Sequence, residues 1–333
     1  MTKNNALYPL SSVQREIWFD QSLHPEVPIY NIGGYHRIEG ELDPDLFRHA
    51  LQQLVQETEI LRLRLCLQED VPLQSFPELS EIKVDYRDCR RDADPMAAAL
   101  AAMQADIETP FKLLEGPLFR YTLYRVAEKT HLWSQIYHHL LVDGWAISLI
   151  MQRTTTLYQA LRDKVPIPLP PGTAYTEFVA SDQDYLASAH CERDRQYWRQ
   201  QFATLPEPLF IERRHRSTDG TVLPGPTLTL FLKRARYNQL EAIAQKQGAT
   251  IYQALVALFC LYFCRTADRD ECLLGMPVHN RSAAAFKETI GLFVSAIPVR
   301  FAIDREASFG DLIRAVGRAL RERYRHQRLP LSE

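Results

Sequence analysis

His138-His139-Leu140-Leu141-Val142-Asp143-Gly144-Trp145 joins two runs of opposite periodicity. Before it, His131–Tyr137 alternates like a strand; after it, Ile147, Ile150, Met151, Thr154, Leu157 and Leu161 recur at helical spacing. Side chains alternate across a strand, so adjacent histidines at its end are sent to opposite faces, one toward a cleft and one inward. A neutral imidazole, with a reference pKa of about 6.5, can take a proton from an attacking amine or hold it by a hydrogen bond. Asp143 sits at the turn, where a carboxylate also suits a helix N-cap. Gly144 permits close backbone approach, and the helix start beyond it offers N–H groups and a positive dipole end suited to an oxyanion. A lone turn histidine or capping aspartate is ordinary, but the whole string points to chemistry. Adjacent histidines do not easily share one ion and no third ligand is evident, so no metal is expected.

Working outward, Ser11-x-x-Gln14 reads as a capping box opening a helix through about Leu23, with Val13 and Ile17 on one face. Asp43-Pro44 starts a second helix carrying Leu46, Phe47, Ala50, Leu51, Leu54 and Val55. Ile60–Leu65 alternates like a strand, and a third helix runs from about Pro95 to Glu108. Strands Leu118–Val126 and His131–Tyr137 are joined by the turn Ala127–Thr130. Val165–Gly172, with four prolines, reads as a stiff, extended linker. Beyond it the pattern predicts a long helix within Tyr175–Phe202, an irregular basic stretch Arg213–Arg216 and a strand near Thr227–Leu232. A helix at Tyr237–Lys246 closed by Gly248, an apolar helix Ile251–Cys264, strands near Glu271–Val278 and Leu292–Phe301, and a helix capped by Ser308 complete the series. The expectation is an α/β (α+β type) fold of two successive lobes with mixed sheets and helices, divided at 172/173.

Composition sets the limits. The chain has 333 residues, 46% of them hydrophobic, and a net charge of −2. That length suggests two domains or lobes at about one per 150 residues. The even charge argues against nucleic acid and anionic membranes as partners. The polar N-terminus is no signal peptide, and no membrane span is expected from the hydropathy. Six scattered cysteines lack a CxxC pair and read as reduced core thiols of a cytoplasmic protein.

His138-His139-x-x-x-Asp143-Gly144-Trp145 resembles the HHxxxDG motif of condensation domains in nonribosomal peptide synthetases. Further blocks resemble the family's motifs in order: Leu10–Trp18 with Tyr30-Asn31 following, then Glu59-Ile60-Leu61-Arg62. In the second block Glu57-Thr58 stands where Arg-His is usual. Phe111–Arg120 is similar to the family's lead-in strand and Tyr175-Thr176-Glu177-Phe178 to its fourth motif. Gly275–Arg281 and Ile290–Ser295 resemble the fifth region, with Ser295 where asparagine is common, and His326-Gln327 begins the sixth.

The resemblance implies a pseudodimer of two chloramphenicol-acetyltransferase-like lobes, residues 1–172 carrying the motif and residues 173–333 forming a second, incomplete lobe. The chain is expected to stop short of the family's full length. An acyltransferase activity follows: the amine of an acceptor aminoacyl thioester attacks a donor acyl or peptidyl thioester and an amide forms. No cofactor is expected on the domain itself, since phosphopantetheine arms of carrier proteins bring both substrates. The donor carrier, or a free acyl thioester, is expected in trans, with an acceptor carrier and an adenylation domain downstream. The same resemblance makes His139 the residue that places the amine or accepts its proton, and His138 a structural neighbour. It makes Asp143 the partner of Arg281 from the other lobe, across or near the lobe junction, Arg62 a buried ion-pair partner, and Trp145 and Ser295 candidates to line the tunnel. The rivals are an epimerisation domain, an ester-forming relative and a non-catalytic carrier-docking module. An epimerase would need a second-lobe glutamate, which nothing identifies. Amine against alcohol acceptors separates the second, and carrier binding without turnover would mark the third.

Overall fold

The computed structural model describes residues 6–79, 81–207 and 229–333, which divide into two compact units. The first takes residues 1–188 together with 281–294; the second takes 189–280 and 295–333. Among the described residues no single helix is long and apolar enough to cross a membrane.

The first unit opens with β1 (Tyr8–Pro9) and α1 (Ser12–Leu23), whose capping box is complete. β2 (Asn31–Glu39) and α2 (Pro44–Glu57) follow, the latter capped by Asp43. β3 (Arg64–Gln68) and β4 (Val71–Ser75) form a hairpin that β1 joins in a small sheet. The main sheet comprises β2, β5 (Val84–Asp88), β6 (Phe119–Ala127) and β7 (Thr130–His138) in the order β2-β7-β6-β5. It is mixed, because β5 runs parallel to β6 while the other pairs are antiparallel. α3 (Pro95–Ile107) packs Ala99 and Met103 on Tyr124, Val126 and Leu132. α2 and α4 (Gly144–Asp163) belong to the larger core with Tyr121, Leu123 and Trp133. β7, central and covered on both faces, is buried along its whole length.

α5 (Tyr175–Leu186) completes this unit, because Tyr175 and Phe178 pack on Phe286 and Phe293. The first segment of this compact unit therefore runs past Gly172, where the lobe division is expected, to Ser188. The second unit holds α6 (Ala189–Gln201), α7 (Arg234–Lys246), α8 (Ile251–Ala267), β8 (Glu271–Val278), β9 (Ser295–Ala302) and α9 (Phe309–Arg323). β8 and β9 form an antiparallel pair, and α8 and α9 contribute to its core. Cys260, Cys264 and Cys272 are free thiols within that core.

Four expectations change. Ile60–Leu65 is not one strand: Glu59–Arg62 makes a 3-10 turn that buries Ile60 and Leu61, and pairing begins at Arg64. The long helix within Tyr175–Phe202 breaks into α5 and α6 around Ala187-Ser188. The strand expected at Thr227–Leu232 lies partly outside the described residues and Arg213–Arg216 wholly outside them, and residues 229–233 form no strand before α7. Leu292–Val294 stays out of β9, and the reason lies in the site: Asp143 accepts the N–H groups of Phe293 and Val294.

Candidate active site

β7 carries the motif to the end of the main sheet, where Asn31 faces His138 across the β2 pairing. His138 is the last strand residue and is 1% exposed. Its Nδ1 accepts from Leu140 N–H at 3.3 Å, and its Nε2 lies 3.2 Å from Gln21 Oε1. The rings of Tyr30 and Phe111 lie beside it, at centroid separations of 6.1 and 6.3 Å. Burial, reinforced by the neighbouring His139, pushes its pKa down to about 3, so the ring is neutral.

His139 leaves the strand. Its N–H donates to the Tyr30 carbonyl at 2.8 Å, and its ring is half-buried at the turn. Its Nδ1 is buried and has no hydrogen-bond partner among the described residues.

Asp143 is fully engaged. Oδ1 caps α4 by accepting from Ala146 N–H at 2.8 Å, and Oδ2 accepts from Phe293 N–H at 3.1 Å and Val294 N–H at 3.2 Å. Arg281 Nη2 stands 3.2 Å from Oδ1, with both side chains nearly inaccessible. Both partners belong to the first compact unit, so this pair is internal to it. The guanidinium also donates to the carbonyls of Phe286 at 2.7 Å and Gly291 at 3.3 Å, and lies 3.9 Å from the centre of the Phe293 ring. Burial lowers the Arg281 pKa while Asp143 opposes the shift. One α4 N–H expected to face an oxyanion is thus taken by the cap. Gly144 itself borders open space: a Cβ there would meet nothing within 4 Å.

The other sequence motifs converge on this turn. Gln14 donates to the Leu140 carbonyl at 3.2 Å and to Gln74 at 3.1 Å. Tyr175 donates to the Leu292 carbonyl at 2.8 Å and meets Ser11 Oγ at 3.2 Å. Gly291 is needed there, since a Cβ would fall 2.3 Å from the Tyr175 ring. Glu59 accepts from Thr176 N–H at 2.9 Å, binding the second motif to the fourth.

Arg62 corrects an expectation. It makes no ion pair among the described residues; instead it donates to the carbonyls of Phe76 and Pro77 at 3.0 and 3.1 Å. The buried ion pair nearby is Glu57 with Arg153, Nη2 to Oε2 at 2.7 Å, and Arg153 also holds the Pro168 carbonyl at 2.9 Å. Arg153 thus holds the proline-rich segment to α4, and Glu57, part of the departure from the usual motif, is its charge partner. Trp145 is 48% exposed and donates through Nε1 to the Lys287 carbonyl at 2.8 Å. Ser295 begins β9 in the second unit, with a buried Oγ that has no partner among the described residues. A first-unit cavity of about 600 Å³ is lined by Glu59, Arg62, Arg153 and Tyr175 among others, and it does not include His138 or His139. Gln21 is a residue that sequence reading misses. Its one signal is its place four residues after Ile17 on the buried face of α1.

Strand end, turn and capped helix therefore define a mixed α/β protein that presents one imidazole from a rigid frame. The family model described as condensation domain matches residues 4–333. The chain belongs to the condensation-domain family. It is 29% identical over 327 residues to a dimodular nonribosomal peptide synthase of Bacillus subtilis (strain 168), covering 97% of this chain and 14% of that protein. It is 28% identical over 324 residues to an isonitrile lipopeptide synthase of Streptomyces coeruleorubidus, covering 96% of this chain and 22% of that protein. The chain thus spans a small part of the length of these curated relatives. Among solved structures, the first condensation domain of the calcium-dependent antibiotic synthetase, with a substrate analogue, superposes with a TM-score of 0.87 at 28% identity. That match covers 98% of this chain and 77% of the other. A mutant starter condensation domain of rhizomide synthetase in complex with C8-CoA gives 0.85 at 30% identity, covering 98% and 73%.

Proposed function

We propose that this chain catalyses amide formation in nonribosomal peptide synthesis. The acceptor amine nitrogen attacks the donor thioester carbonyl; the carbon–nitrogen bond forms, the carbon–sulfur bond breaks, and the proton lost by nitrogen ends on the departing thiol. The observation that supports this reading is the division of labour within the motif. His138 is buried and doubly hydrogen-bonded, and Asp143 is engaged by three backbone N–H groups and Arg281. His139 is then the titratable group of the motif left to meet a substrate, either holding the amine or taking its proton.

Both substrates arrive on phosphopantetheine thioesters, and the domain itself uses no bound cofactor. The partners in this proposal are donor and acceptor carrier proteins, with an adenylation domain in the same assembly and a cytoplasmic location. Likeness to a starter condensation domain crystallised with C8-CoA favours a donor delivered in trans. The proposal includes two acetyltransferase-like lobes.

The test is turnover of a loaded donor carrier against an acceptor amine, followed by intact mass. His139→Ala is expected to lose about 100-fold or more, the scale of positioned acid–base catalysis, with an unchanged circular dichroism spectrum. Turnover equal to that of the parent sequence overturns the assignment, and a product formed from alcohols but not amines would favour the ester-forming relative.

A further inference from the structure

Gln21 lies in the last turn of α1, 4% exposed, and every polar atom of its amide is engaged. Nε2 donates to the carbonyls of His24 at 2.6 Å and Val27 at 3.0 Å. Those two acceptors fix which end of the amide is nitrogen, so the oxygen is the atom turned toward His138 Nε2. An amide oxygen only accepts, so the proton of the His138 ring sits on Nε2. Nδ1 is then a bare acceptor, and it is this atom that takes the Leu140 N–H.

The consequence reaches the neighbouring residue. Leu140 N–H on the His138 ring, Leu141 N–H on the His138 carbonyl at 3.0 Å and His139 N–H on the Tyr30 carbonyl together hold the turn that aims the His139 ring. The opposite tautomer would set a ring N–H against the Leu140 N–H, and the turn would have to open. An apolar side chain of equal size at position 21 would fill the space but leave the Leu140 N–H alone to select the tautomer.

We propose that Gln21 is a positioning residue that, acting through the tautomer of His138, holds the turn orienting His139. The inference rests on the reading of His139 as the substrate-facing residue, and the ring tautomer gives a readout independent of that reading. It belongs to the same kind of arrangement in which a partner's hydrogen bond fixes which imidazole nitrogen carries the proton.

The experiment is nitrogen-15 NMR of the full chain with labelled histidine, beside the turnover assay. In the parent sequence the His138 ring is expected to show a protonated Nε2 and an unprotonated Nδ1; a protonated Nδ1 overturns the proposal without any variant. In Gln21→Met the His138 signals are expected to shift toward a mixture of tautomers. Turnover should fall about 10-fold to 100-fold at unchanged acceptor KM, since an error of about 1 Å at a reacting group can cost about 100-fold. Unchanged ring signals in that variant overturn the proposal. A double variant with His138→Phe is expected to lose no more than His138→Phe alone, because Gln21 acts through that ring. Additive losses show another route and also overturn it. Activity retained in His139→Ala strikes the catalytic reading instead, and the nitrogen signals tell the two failures apart.

Discussion

In the first unit β7 is buried at every position from Thr130 to His138, whereas in the second unit β9 alternates buried and half-exposed residues until its last. The helices differ in the same sense. α2 turns Phe47, Leu51, Leu54 and Val55 inward, large residues filling a core between helix and sheet. α8 leans the other way: Ala254, Val256, Ala257, Cys260 and Cys264 are buried, mostly small residues, while Leu255 (39%), Phe259 (56%) and Tyr262 (62%) are exposed. Small residues let a helix lie close to its neighbours, and the large apolar residues are left on the other side. The motif histidines are mounted on the unit whose sheet is closed on both faces, so the imidazole is aimed by a frame with little freedom to relax.

The largest expected effect tests that rigidity. Removing one partner of a buried ion pair strands the other charge, at about 3–5 kcal/mol. Asp143→Ala also strips the cap of α4 and the acceptor of two backbone N–H groups. We expect Asp143→Ala to lower stability by at least that range and Asp143→Asn by less. Amide hydrogen exchange should show the loss concentrated in β7, α4 and residues 281–294, with α8 and α9 little changed. Equal loss in both units would break the contrast between them.

A second effect follows from the neutral His138. Above about 6.5 both folded and unfolded chains carry an uncharged ring, and the group contributes no pH dependence. As the pH falls from there toward its folded value of about 3, the unfolded chain takes up a proton that the folded chain refuses. Stability must then drop, by about 1.4 kcal/mol per pH unit for one full proton. Urea unfolding midpoints between pH 6.5 and pH 4 are expected to fall more steeply in the parent sequence than in His138→Gln. Parallel curves would mean that the strand end is wetter than its burial indicates.

Much of the first unit is legible in the amino-acid order because its signals are local. Ser11 and Gln14, Asp43 and Pro44, and the alternation through β6 and β7 each act within a few residues, and each element begins within one residue of its expected place. Where reading fails, the deciding partner is distant. Ile60–Leu65 alternates like a strand, but burial of Ile60 and Leu61 beneath a 3-10 turn overrides the pattern. Phe293 and Val294 look like strand residues, yet Asp143, about 150 positions earlier in the chain, takes their N–H groups. Arg62 reads as half of an ion pair but holds carbonyls, while Glu57 and Arg153 supply the pair. The motif names His139; the amide that orients its neighbour can be found only by knowing what lies against the buried face of α1.

The smallest expected effect concerns the exposed side of α8. Phe259 and Tyr262 contribute little to the core of their unit, so their replacement should leave folding nearly unchanged. Surface substitutions of this kind stay within about 0.5 kcal/mol, and lysine is at least as good a helix former as either aromatic. Solubility is a different matter, because a contiguous exposed apolar patch promotes association between molecules. Phe259→Lys with Tyr262→Lys is therefore expected to keep the unfolding midpoint while lowering the concentration-dependent rise in sedimentation coefficient. The result separates two explanations of the same exposure. If midpoint and association both hold steady, the outward aromatics are tolerated ornaments of a helix held by its small residues. If stability drops by more than about 1 kcal/mol, Phe259 and Tyr262 are packing groups in solution, and α8 is not built with its large residues outward as the comparison with α2 requires.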